Sequence, residues 1–135
     1  MIEREQEPHE PLATIQELQF ELIKRVKFND CAGEQIVADL LANRPLWRGV
    51  VMDRPSVVVD RQRGYIHEEI NLVKLRDIEV NQWNVDTLFI LTSGVNDAAL
   101  ASLAYQWEAS EVWYLENPEV GLLHPSNKVL RVWWD

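Results

Sequence analysis

The segment 86–115 constrains the fold more than any other part of this chain. Leu88, Phe89, Ile90 and Leu91 form an unbroken apolar run, the pattern of a strand covered on both faces. Gly94 follows and suits a tight turn with positive φ. Ser93 or Asn96 can cap the next helix. Ala99, Leu100, Leu103, Ala104 and Trp107 then recur at helical spacing, with Ser102, Gln106 and Glu108 off that face. Residues 111–115 supply a second strand. The pattern predicts a β-α-β crossover between parallel strands, right-handed as such connections are. A helical hairpin is the competing reading, but the run before Thr92 is short for a helix.

The flanking sequence adds helices before this unit and strands around it. Thr14 and Glu17 have the spacing of a capping box. Ile15, Leu18, Leu22 and Val26 then mark the inner face of a first helix, with Lys24, Arg25 and Lys27 in its last turn. A break at 29–33 leads to a second helix near 34–42, with Ile36, Val37, Leu40 and Leu41 inward, stopped by Pro45. Residues 50–52 and 57–59 read as a hairpin around Asp53, Arg54, Pro55 and Ser56. A second turn at 61–64 leads to a strand at 65–70. Residues 71–85 fit a short helix or an irregular crossover equally well. A last strand covers 128–134. The expected architecture is a single α/β (or α+β) domain over 11–135. It has two N-terminal helices and a mixed sheet of about five or six strands. Residues 1–10 are expected to be a flexible acidic tail.

Composition narrows the setting. A length of 135 residues and a hydrophobic share of 47% fit one domain with a real core. No run reaches the ~20 apolar residues that span a bilayer, so no membrane association is expected. The acidic start lacks an apolar stretch of signal-peptide type. Cys31 is the sole cysteine and cannot form an internal disulfide. These features together predict a cytoplasmic protein.

The charge is uneven. Residues 44–63 carry five arginines against two aspartates, net +3, which leaves −12 on the rest of a chain of formal charge −9. Arginine's planar fork suits carboxylates and phosphates. Arg54, Arg61 and Arg63 are therefore candidates for contact with an acidic partner; the competing reading is a solvated surface with local acids. Binding to a nucleic-acid backbone is disfavoured, because the chain as a whole repels it.

Candidate chemistry is sparse. Thr92, Ser93, Gly94, Asn96 and Asp97 occupy a strand-to-helix turn, where α/β folds bind ligands near free helix N–H groups. The pattern has a single glycine and matches no phosphate-loop signature, and Asp97 opposes an anion. His67 and Glu69 would share a strand face, but no further ligands stand at metal spacing; neither a metal nor a cofactor is expected. Six tryptophans are present, and the consecutive Trp133 and Trp134 must point to opposite faces of a strand. One of them can lie in the core while the other meets a second element, a partner or water, and tryptophan is enriched at interface hot spots. The residues point to a non-enzymatic interaction or regulatory protein, forming a homodimer or binding another protein. The alternative is a small-ligand or nucleotide-binding domain, possibly an enzyme, with its site at 92–97.

Overall fold

The fold is known from a computed structural model, which describes residues 12–55, 57–60, 65–68, 73–115 and 128–135. The elements run α1 (Ile15–Ile23), β1 (Lys27–Phe28), β2 (Cys31–Ala32), α2 (Gly33–Ala42) and a 3-10 turn (Arg44–Leu46). They continue with β3 (Trp47–Asp53), β4 (Val57–Asp60), β5 (Tyr65–Glu68), α3 (Val73–Ile78), β6 (Thr87–Thr92), α4 (Asp97–Tyr105), β7 (Glu111–Leu115) and β8 (Val129–Trp133). The class is α+β: helices combined with antiparallel sheets.

The main sheet has the order β3-β6-β8-β7, and every described pair in it is antiparallel. Strands β6 and β7 therefore point the same way on either side of α4, but they do not pair. β8, the last strand of the chain, lies between them. The expected mixed sheet with a parallel pair gives way to antiparallel ladders. An apolar run such as Leu88–Leu91 marks a central strand without revealing its neighbours' direction.

A second expectation also fails. Residues 50–52 do not pair with 57–59. β3 pairs with β6, Val51 opposite Phe89, while β4 pairs with β5, Val58 opposite His67. β3 and β4 thus belong to two different sheets, and the partner of β4 is β5. The tail at 1–10, together with Arg61, Arg63 and Glu69, lies outside the described residues.

Register divides the main sheet into rows, because directly paired residues share a face. One face carries the rows Val50–Ile90–Leu130–Tyr114 and Met52–Leu88–Val132–Val112. The first three residues of each row are buried. Phe20 and Ile23 of α1, Ile36, Val37 and Leu40 of α2, and Leu100 and Ala104 of α4 join them in one cluster. Each fully buried aliphatic side chain contributes about 1.5–3 kcal/mol, so this layer dominates the stability.

The helices are anchored locally. Thr14 accepts from the Glu17 N–H at 3.1 Å and Glu17 accepts from the Thr14 N–H at 3.0 Å, completing the capping box. The inner face of α1 differs from the expected one: Ile15 and Leu18 are exposed, and Phe20 and Ile23 take the core positions. Leu41 of α2 is likewise exposed. At the start of α2, Gly33 is pressed against the end of α1. A Cβ there would stand 1.8 Å from the Ile23 carbonyl oxygen, and the Gly33 N–H donates to the Val26 carbonyl at 2.9 Å. Only glycine permits so close an approach of two backbones.

In α4, Leu100 and Ala104 are fully buried, Leu103 is half-buried and Ser102 is exposed. Leu100→Ala should therefore cost about 2–5 kcal/mol by the cavity it leaves, more than Leu103→Ala, while Ser102→Ala should be nearly neutral. Denaturant melts of the three variants check this order.

Candidate functional site

The turn at 92–97 is closed on itself. Thr92 is buried, and its N–H donates to the Lys128 carbonyl. The Ser93 hydroxyl donates to the Pro45 carbonyl, the Ser93 N–H to Leu46, and the Val95 N–H to the Ser93 oxygen. Gly94 takes φ +80°. Asn96 caps α4 by accepting from the Ala99 N–H at 3.0 Å. Tyr114 donates its hydroxyl to the Asp97 carbonyl. The polar groups that could have held a ligand instead tie β6 and α4 to the 3-10 turn. Oδ1 of Asp97 is buried without a hydrogen-bond partner among the described residues, and its charge opposes an anion at this helix start.

The other expected residues separate into different roles. Arg54 is half-buried and donates Nη1 to Asn84 Oδ1 at 2.8 Å. Asn84 in turn donates to Asp77 Oδ2 at 2.7 Å, and Arg76 forks onto both oxygens of Asp77. The Arg76 and Asn84 bonds hold the Asp77 carboxyl below its ordinary range. Arg54 thus belongs to a network that fastens the end of β3 to the segment before β6. Trp134 is buried, with its indole N–H donating to the Trp107 carbonyl at 3.0 Å. Trp133, on the opposite face, is half-buried.

That opposite face is the unexpected feature. Its middle row is Val51–Phe89–Arg131–Trp113. The flanking rows are Asp53–Thr87–Trp133–Glu111 and Gly49–Leu91–Val129–Leu115. Val51 is 45% and Trp113 43% exposed, and Phe89, Leu91, Trp133 and Leu115 are half-buried. None of these residues belongs to the core cluster. At their centre the Arg131 guanidinium lies over the Trp113 ring at 4.6 Å. Arg131 Nη1 stands 3.6 Å from Glu111 Oε2 and has no hydrogen-bond partner among the described residues.

The two edges of the sheet are treated differently. On β3, Gln16 of α1 accepts from the Val50 N–H at 2.7 Å and donates to the Val50 carbonyl at 2.8 Å, and Gln19 accepts from the Met52 N–H at 3.0 Å. Two glutamines thus stand in for a neighbouring strand. On β7 the situation is reversed. Trp134 N–H bonds to Asp86 and Thr92 N–H to Lys128, which fixes the phase of the β6–β8 ladder. Val129, Arg131 and Trp133 then bond toward β7, and the backbone groups of Val112 and Tyr114 point outward. No bond to those outward groups occurs among the described residues. An open edge is a template for another strand. Hydrophobic alternation located these strands, but the sequence offers no signal for which edge α1 covers.

Among the described residues no group of three or more His, Cys, Asp and Glu side chains could hold an ion. Nor is any described helix long and apolar enough to cross a membrane. Compared with known protein families, with curated proteins and with solved structures, the chain matches none.

Two predictions follow from these placements. Replacing Gln16 and Gln19 together by Ala should destabilise the fold by about 1–3 kcal/mol, since hydrogen bonds to three backbone groups of β3 are lost. It should also promote association through the uncovered edge, which turbidity and light scattering would register. Cys31 is buried, and burial pushes its thiol up to about 12 from 9.0. Burial, then the nearby Asp97, raises Tyr114 to about 12 from 10.0. Both groups ionise first in the unfolded chain. Their contribution is therefore fully present below about pH 9 and lost as pH rises toward 12. Urea melts at about pH 8 and about pH 11 should show the loss, and a thiol reagent at neutral pH should label Cys31 only after unfolding.

Proposed function

We propose that this chain is a non-enzymatic, cytoplasmic interaction module that self-associates as a twofold homodimer through β7. The observation that carries the reading is the contrast between the two sheet edges. α1 covers one with glutamine side chains, while among the described residues nothing bonds the outward groups of the other, which lies beside an apolar face bearing Trp113 and Trp133.

A second copy of the chain fits the open edge well. An antiparallel β7–β7 pair centred on Trp113 sets Val112 against Tyr114 of its mate, whose outward backbone groups match. It sets Glu111 against Leu115, so no like charges face each other across the new ladder. The two core faces become one continuous layer of eight main-sheet strands. Closed twofold dimers are the commonest assembly, and an isologous strand pair needs no second type of surface. The cation–π pair of Arg131 and Trp113 would lie at the dyad, where further desolvation strengthens it. The half-buried Phe89, Leu91 and Trp133 extend the apolar surface beyond the edge itself.

Sedimentation or light scattering at about 50 µM, well above the Kd of a stable dimer, should show twice the chain mass. Val112→Pro should yield a folded monomer. Its N–H points away from β8, so proline blocks the new ladder and spares the old one. Trp113→Lys should act in the same direction by placing a charge on the edge. A wild-type monomer at that concentration would remove the proposal.

A further inference from the structure

We propose that a second site, unrelated to the β7 edge, binds a small anion carrying a planar ring, with the chemistry of a nucleoside monophosphate. It is a cavity of about 420 Å³ between the α1–β1 turn and the segment that leads into β6, lined by Arg25, Lys27, Phe28, Asn81, Gln82 and Trp83 among others. That volume falls within the range of roughly 300–1,000 Å³ occupied by small-molecule sites.

The charge pattern is the first argument. The chain carries −9 overall, yet two cations face this cavity with no carboxylate partner among the described residues. Helix α1 ends at Ile23, earlier than the sequence implied, so the three basic residues beyond it diverge. Lys24 pairs with Glu21 at 2.9 Å. No ion pair or side-chain hydrogen bond engages Arg25 or Lys27 among the described residues. In an acidic protein, unneutralised cations that converge on one hollow favour an anion there. Arginine's fork and lysine's ammonium are the two common phosphate donors.

The other walls specify the rest of the ligand. Phe28 is half-buried and offers flat apolar surface, which a planar ring covers well; Trp83, beside it in the lining, serves as the reporter. Asn81 adopts φ +58°. The Asn81 and Gln82 N–H groups are spent on Ile78 and Asp77, whereas neither side-chain amide is hydrogen-bonded among the described residues. An amide presents a donor and an acceptor together, the pattern that reads the edge of a heterocycle. Asn84, another lining residue, is already committed to Asp77 and Arg54 and gives the site one fixed wall. The cations would hold the anionic group, the Phe28 ring the plane, and the Asn81 and Gln82 amides its polar rim.

The test uses the full chain, with AMP, adenosine and inorganic phosphate as probes. Binding is read by calorimetry and by the indole N–H resonance of Trp83. AMP should bind and shift that resonance, while adenosine and phosphate should each bind at least about tenfold more weakly, since each lacks one half of the recognition. The double variant Arg25→Gln with Lys27→Gln should weaken AMP by about tenfold or more. It should keep the wild-type melting temperature, because both side chains are exposed. Four results would overturn the proposal: no Trp83 response to AMP up to about 5 mM, a level that reveals even millimolar affinity; adenosine binding as tightly as AMP; phosphate doing so; or the double variant binding AMP like the wild type. The comparison of probes on the unmodified chain decides the matter even if a variant folds poorly.

Discussion

The rest of the structure depends on β8. It is the last strand in the sequence, yet it pairs with β6 on one side and β7 on the other. Without it the two strands flanking α4 have no ladder in common, and both core rows lose their third member. Leu130 and Val132, which β8 contributes to those rows, are fully buried. Every contact it makes is distant in sequence, so its docking closes large loops before any gain is realised. The sheet is therefore a late, non-local product of folding, while α1, α2 and α4 are local ones. The next residue strengthens the insertion. The Trp134 N–H extends the ladder to Asp86, and its indole reaches the Trp107 carbonyl.

Tryptophan solves a second problem in this core. Three of the rings are buried, and each brings a donor that must be satisfied. Trp47 donates to the Leu40 carbonyl at 2.7 Å, Trp107 to Asp39 at 2.9 Å and Trp134 to the Trp107 carbonyl. The chain of bonds runs from the C-terminus through the end of α4 to α2. It fixes how the helices sit on the sheet, which apolar contact alone leaves adaptable. Phe20 stands edge-on to Trp47 with centroids 5.5 Å apart, and Arg44 covers that ring at 5.2 Å. The high tryptophan content is thus largely structural, with Trp113 and Trp133 as the members turned to the other face.

What could be read from the sequence follows from range. The capping box at Thr14, the Asn96 cap, the buried positions Leu100, Ala104 and Trp107, and the split between Trp133 and Trp134 all rest on local periodicity, and the structure contains each. Strand partnership is not local. Residues 50–52 and 57–59 look like a hairpin because they are near neighbours in the chain, and the same alternation serves β3 equally well opposite β6. The inner face of α1 departs from the apolar periodicity because Gln16 and Gln19 face the sheet edge. Ile15 and Leu18 are turned out as a result. The candidate turn at 92–97 has the right residue types, but their hydrogen bonds run to Pro45 and Leu46, partners no spacing rule could name. The cavity beside Trp83 joins two segments more than fifty residues apart and has no sequence motif at all.

The two proposed surfaces draw on different parts of an acidic chain, and that difference reconciles them with its charge. A molecule of net charge −9 repels its own copies, but the repulsion fades over about 8 Å at physiological ionic strength. What matters at contact is local charge. On the outer rows of β7 and β8 the charged residues are Glu111 and Arg131, which lie within ion-pair distance of each other, so a strand pair there meets a nearly neutral strip. The cavity works the opposite way. Arg25 and Lys27 make a positive spot on a negative molecule, and a small anion that reaches it is held at short range, where screening is weakest. β7 shares no residue with the cavity, so occupancy of one leaves the backbone groups and side chains of the other untouched. Self-association and ligand binding are thereby separable properties of one fold, coupled only to the extent that the sheet transmits a change from β6 through β8 to its open edge.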